Sequence, residues 1–157
     1  MSISEDLDQP TRRRFCALAC QAASVVAAGT LISACSGPTS PGNAPQLSSL
    51  NGSVTGRVVS VTIPTTGTLA SAGTAAFINT SLGGFLAART SDTAFTVLTS
   101  NCTHADCTVS GFESSHYVCP CHGSTFTTAG AVVNGPAPAP LRSFPSTFAN
   151  GTLTFTA

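Results

Sequence analysis

An all-β fold is the expectation for this chain, and three observations carry it. Turn formers are abundant, with 14 Gly and 10 Pro among 157 residues, and both interrupt helices. Beyond residue 50 the apolar residues come as short runs of Val, Ile, Thr and Phe between closely spaced glycines, the pattern of half-buried strands. No segment there keeps the 3.6-residue period of an amphipathic helix. At 42% hydrophobic and 8% charged the chain has too much apolar surface to stay disordered, and its length suits one domain with a single core. Six arginines, no lysine and six acids cancel. Without a basic stripe, no nucleic-acid partner is expected.

The N-terminal third is read as export machinery. Residues 1–14 hold half of all charges and end in Arg12, Arg13 and Arg14, followed by an uncharged, Ala-rich run over 15–34. That order is a charged n-region and an apolar h-region. Thr11, Arg12, Arg13, Arg14 and Phe15 resemble a twin-arginine signal, with Cys16 where leucine is common. A general secretory signal or an uncleaved anchor are the alternatives, since twenty uncharged residues are about enough to span a bilayer. Ile32, Ser33, Ala34 and Cys35 resemble a bacterial lipobox, which makes Cys35 the expected lipidation site. The chain has seven cysteines, and discarding Cys16 and Cys20 while acylating Cys35 leaves four in the folded part. Residues 36–49, uncharged and rich in Pro, Gly and Ser, are expected to form a flexible membrane tether.

The folded domain is placed at 50–157. Strands are expected at Val54–Ile63, Thr74–Asn79, Gly84–Arg89, Ala94–Ser100, His116–Val118 and Thr152–Thr156.

Two compact blocks carry the chemistry: Cys102-Thr103-His104-Ala105-Asp106-Cys107 and Cys119-Pro120-Cys121-His122-Gly123-Ser124. Each supplies one Cys-His pair and one further Cys. Such spacings also suit a tetrahedral structural zinc site, or a module of the same fold without metal. CTHADC followed by CPCHGS, however, resembles the two cluster-binding boxes of Rieske iron-sulfur proteins. The downstream stretch AGAVVNGPAPAPL, with Gly135, Pro136 and Pro138, resembles that family's proline loop.

The resemblance, which covers roughly residues 50–157, implies a Rieske-type antiparallel β sandwich with a two-loop cluster-binding subdomain and one [2Fe-2S] cluster. Carried over position by position, Cys102 and Cys119 hold one iron, and His104 and His122 the other. It leaves Cys107 and Cys121 outside the ligand set and implies their disulfide, a feature of the respiratory and photosynthetic branch, worth about 3 kcal/mol in the chain-entropy model. Two thiolates and two neutral imidazoles give a centre less negative than a four-thiolate one, so reduction is easier, at roughly −150 to +300 mV against about −400 mV. Ser124 matches the serine that donates to a cluster sulfide. Phe126 stands where high-potential members carry tyrosine and cannot donate, which implies a lower potential. Ala105 and Asp106 replace a common leucine and glycine. His116, Phe112 and Tyr117 are expected to be a solvated histidine and packing aromatics.

The expected function is single-electron transfer on the outer, periplasmic or extracytoplasmic face of the cytoplasmic membrane, with no catalytic residue of the chain's own. Three settings are compatible: a cytochrome b/c-type quinol-oxidising complex, the large subunit of an arsenite-oxidase-like molybdenum enzyme, or a free lipoprotein carrier.

Overall fold

The computed structural model describes residues 43–157. The expected signal, Cys35 and residues 36–42 of the expected tether lie outside the described residues.

Thirteen strands and no α-helix occur among the described residues. They are β1 (Ser49–Asn51), β2 (Ser53–Thr55), β3 (Val58–Thr62), β4 (Ala75–Thr80), β5 (Gly83–Arg89), β6 (Phe95–Thr99), β7 (Gly111–Glu113), β8 (His116–Val118), β9 (Thr125–Thr127), β10 (Val132–Asn134), β11 (Ser143–Phe144), β12 (Ser146–Ala149) and β13 (Thr152–Thr156). They build a five-stranded sheet ordered β1-β4-β5-β6-β11, a four-stranded sheet β12-β13-β3-β2, and a smaller sheet β10-β9-β8-β7. All pairs are antiparallel except β1 with β4. The expected all-β class is thus observed, with one parallel pair at an edge of the sandwich.

The single core expected from length is instead two, because the five-stranded sheet is covered on both faces. Successive strand residues point to opposite sides, and β5 shows the result directly. Phe85 and Ala87 pack with Val59, Val61, Ile78, Leu153 and Phe155 in the core between the two large sheets. Leu86 and Ala88 pack with Val109, Tyr117, Cys119 and Phe126 in a second core beneath the small sheet. A strand buried on both faces reads as a continuous apolar run, here Phe85 to Ala88, all buried. The neighbouring Gly84 leaves room for packing across the pair: a Cβ there would meet Phe77 Cζ at 2.3 Å and Ser100 Oγ at 2.8 Å.

Most expected strands form within a residue or two of their expected ends, and one divides. Val54–Ile63 breaks into β2 and β3 at Gly56, which has φ 62° and starts a two-residue hairpin loop. The domain boundary also moves. Leu47 N–H donates to Ser110 O and Phe112 N–H to Pro45 O, both at 2.8 Å, and Phe77 N–H donates to Ser48 O at 2.9 Å. Leu47 packs against the second core. The end of the expected tether is therefore sheet structure: backbone pairing requires no apolar side chains, so composition alone placed the boundary too late.

Candidate metal centre

The second core and the small sheet carry two loops, one leaving β6 and one between β8 and β9. Both are closed by the same backbone scheme. In the first, Cys102 N–H donates to Cys107 O and Asp106 N–H to Cys102 O, each at 2.9 Å. In the second, Cys119 N–H donates to Ser124 O at 2.8 Å and Gly123 N–H to Cys119 O at 3.0 Å. The residue four places after the first cysteine turns the chain in each case, with φ 54° at Asp106 and 75° at Gly123. Glycine adopts that conformation freely, and Asp is among the few other residues that tolerate it. The Asp106 that departs from the family pattern therefore still fulfils the backbone requirement.

This folding sorts the side chains by depth. Cys102 and Cys119, at the loop bases, are each 1% exposed and carry free thiols. His104 and His122, at the crests, are exposed. Their Nδ1 atoms lie 3.3 Å apart, with ring centroids at 4.7 Å and planes at 89°. A tetrahedral ion with metal–nitrogen bonds of about 2.0–2.1 Å spaces two ligand nitrogens about 3.3–3.4 Å apart. The two imidazoles are thus arranged to share one ion, and two thiols lie buried beneath them. That donor set fits a [2Fe-2S] group with sulfur on one iron and nitrogen on the other.

Burial pushes the Cys119 thiol above its ordinary pKa, the N–H groups of Cys121 and His122 pull it down, and the neighbouring Cys102 thiol, hydrogen-bonded to it, raises it again. Burial dominates, so the metal-free site holds a proton that an ion must displace.

Cys107 and Cys121 are joined by a disulfide spanning 14 residues of sequence, which ties one loop to the other. Their sulfurs and that of Cys119 lie within 4.8 Å of one another. As disulfide sulfurs, the first two are no thiolate ligands in this state.

The proline loop closes over both boxes. Ala137 N–H donates to Ser124 Oγ at 3.0 Å, and Thr103 Oγ1 donates to Ala139 O at 2.6 Å. Ser124 is fully buried, and with its oxygen accepting from Ala137 its proton remains available to another acceptor. Gly135, Pro136 and Pro138 are exposed, so this segment shields the site through Ala137, which is 7% exposed. The Thr103 contact was not anticipated from sequence. Its hydroxyl lies within the first box, but the partner is a backbone carbonyl 36 residues away.

The remaining candidates separate clearly. Phe126 is fully buried and is the cross-strand partner of Tyr117, which stacks at 5.3 Å on Phe112. Both rings are packing aromatics, as expected. Tyr117 Oη, however, is a buried side-chain polar atom without a hydrogen-bond partner among the described residues, and burial drives its phenol far above the ordinary pKa range. His116, half-buried on β8, pairs in register with Thr127 and Glu113.

Comparison with known proteins agrees with this geometry. The profile of the Rieske [2Fe-2S] domain matches residues 62–145. The cytochrome b6-f complex iron-sulfur subunit of Chlorobaculum thiosulfatiphilum is 36% identical over 52 residues, 32% of this chain and 29% of that protein. Cytochrome b6-f complex iron-sulfur subunit 3 of a Nostoc species is 48% identical over 46 residues, 29% and 26% of the two chains. This chain thus spans less than a third of the length of these relatives. Among solved structures, the plasma membrane Rieske protein PetC3 of Synechocystis shares 26% identity over 52% of this chain and 84% of its own, with a TM-score of 0.47. The profile match over residues 62–145, more than half of the chain, settles the family: this chain belongs to the Rieske [2Fe-2S] proteins, and its domain binds one [2Fe-2S] cluster.

Proposed function

We propose that the chain passes single electrons through a cluster held by Cys102 and Cys119 on one iron and His104 and His122 on the other. The reading also places it on the outer side of the cytoplasmic membrane, tethered through its N-terminus, with Cys35 as the lipidation site. The observation that supports the ligand set best is the 3.3 Å approach of the two Nδ1 atoms at the exposed crest, above two thiols that are 1% exposed.

When bound, the cluster supplies a one-electron couple, at a potential raised by its two neutral imidazoles. The protein's own residues do the rest. The disulfide and the proline loop hold the two boxes together and keep water from the sulfur side. With Nδ1 engaged, the Nε2–H of each histidine is the donor left to face a partner at the exposed crest. The exposed crest is also the face a redox partner must approach. Ser124 Oγ–H is the donor available to the sulfur side.

Metal analysis with low-temperature EPR of the reduced chain tests this reading. Two irons and two sulfides per chain and a reduced-state signal are expected. Cys119→Ser should abolish both while leaving the β-sheet circular dichroism intact. One zinc and no iron after anaerobic reconstitution would overturn it.

The redox partner is proposed from the chain's setting. The eleven residues between Cys107 and Cys119 are filled by the β7–β8 hairpin, which turns at Ser114 and Ser115, with φ 49° and 64°. So tight a connection offers no inserted docking segment between the boxes. Co-purification separates the settings: cytochrome b identifies a quinol-oxidising complex, a molybdenum subunit an arsenite-oxidase-like enzyme, and neither a free carrier.

A further inference from the structure

The three sulfurs of Cys107, Cys119 and Cys121 lie within 4.8 Å of one another, and the Cys102 thiol hydrogen-bonds that of Cys119. Those three sulfurs therefore meet in one place, two of them masked by the disulfide. Sulfur ligands on a tetrahedral ion with bonds of about 2.3 Å stand about 3.8 Å apart. Relaxing the Cys107–Cys121 pair to that spacing needs only a small displacement once the covalent bond is gone. Soft thiolates select zinc-class ions over hard cations. The N–H groups of Cys121 and His122, which bond to the Cys119 sulfur, would offset part of the negative charge of such a set.

We propose that reduction of the Cys107–Cys121 disulfide uncovers a second metal site, formed by Cys107, Cys119 and Cys121, for one thiophilic divalent ion of the zinc class. Occupation of this site and assembly of the [2Fe-2S] cluster exclude each other, because both require Cys119. That exclusion rests on the ligand set proposed above. The zinc site itself does not.

The disulfide then has a task beyond joining two loops. It withdraws two thiolates from competition and leaves the remaining pair to the cluster. The redox step balances with a water-soluble phosphine as reductant. Phosphorus gives two electrons to the disulfide and takes an oxygen from water, whose two protons go to the new thiols. Zinc then displaces the thiol protons to solvent as the metal–sulfur bonds form.

The test uses the full chain carrying its cluster, incubated with zinc in the presence or absence of the phosphine and then passed through a desalting column. One zinc per chain is expected only in the phosphine arm, with a matching loss of the cluster's visible absorbance. Cys107→Ala should weaken zinc retention by more than roughly 10-fold, the lower end of what loss of even a supporting partner costs a metal site. Because that variant can fail to fold, cobalt replaces zinc in a second measurement on the unaltered chain, where the absorption bands of tetrahedral thiolate-bound cobalt should appear on reduction alone. Retention of zinc without the phosphine, or none with it, would overturn the site and leave the cluster ligands standing. Zinc uptake with the cluster intact would overturn the exclusion, and with it the assignment of Cys119 to the cluster.

Discussion

The base of the molecule and its tip are held together by different physics. In the base, strands of up to seven residues, such as Gly83–Arg89, bury alternate side chains in a core of aliphatic and Phe residues. In the tip, four strands of three residues each are too short to be stable as an isolated sheet. Beyond the apolar contacts of the second core, what orders the tip is local: backbone-closed loops, a disulfide, and polar ties from Ser124 and Thr103 to the proline loop. The comparison teaches that hydrophobic burial alone builds the platform, whereas the tip adds covalent and polar ties to its small core.

The largest effect is expected from damage to the platform. Ile78 is fully buried between the large sheets, so Ile78→Ala should cost about 2–5 kcal/mol, read by denaturant unfolding, while the reduction potential stays unchanged. A shifted potential would break the separation of base from tip.

Removing the tip's covalent tie comes next. Replacing both Cys107 and Cys121 by Ala should cost about 3 kcal/mol, with the loss concentrated in the tip. Hydrogen exchange should quicken over 102–124 and remain slow in β4 to β6, and the cluster's half-life should fall. Equal loosening of both regions would contradict the contrast.

The third effect is a pH dependence peculiar to the tip. Burial raises the Cys119 thiol, so between its unfolded and folded pKa the unfolded chain is ionised while the folded chain keeps its proton. Stability of the cluster-free form must therefore fall as pH rises above the ordinary thiol range. Denaturation midpoints compared at about pH 8 and about pH 10 should decline, and the decline should shrink in Cys119→Ala. Iron needs the thiolate, so cluster loading should release protons and strengthen with pH.

Two small effects concern neighbouring rings. Phe126→Tyr should raise the reduction potential by roughly 40 mV, the equivalent of about 1 kcal/mol of hydrogen bonding favouring the reduced state. A potentiometric titration without an upward shift would count against it. Tyr117→Phe removes a buried hydroxyl that has no partner among the described residues and should stabilise the cluster-free chain by about 1 kcal/mol. Destabilisation would show that the hydroxyl has an acceptor after all.

Legibility from sequence divides along a related line. The strands of the base were readable because long alternating or continuous apolar runs, as in Gly84–Arg89, carry their own period. The cysteine and histidine positions stood out because two boxes with the same residue types occur close together. β12 was missed, although Asn150 and Gly151, with φ 50° and 73°, form the hairpin turn joining it to β13, and Asn-Gly between apolar runs is a readable signal. β7, β9 and β10 are not among the expected strands, although β8 of the same three-residue length is; a run that short displays no period of its own. The Ser114-Ser115 turn offers no glycine to announce itself. The Ser124–Ala137 and Thr103–Ala139 ties join residues distant in sequence through backbone atoms, which leave no residue-type trace.

Because each loop is locked by its own peptide groups, Asp106 contributes to its shape through its backbone angle and its N–H bond to Cys102 O, and the side chain at Ala105 is exposed. The outer skin around the histidine crest is therefore open to redesign in size and charge. A protein engineer could change which surface docks at the crest by repainting those positions, without disturbing the grip beneath.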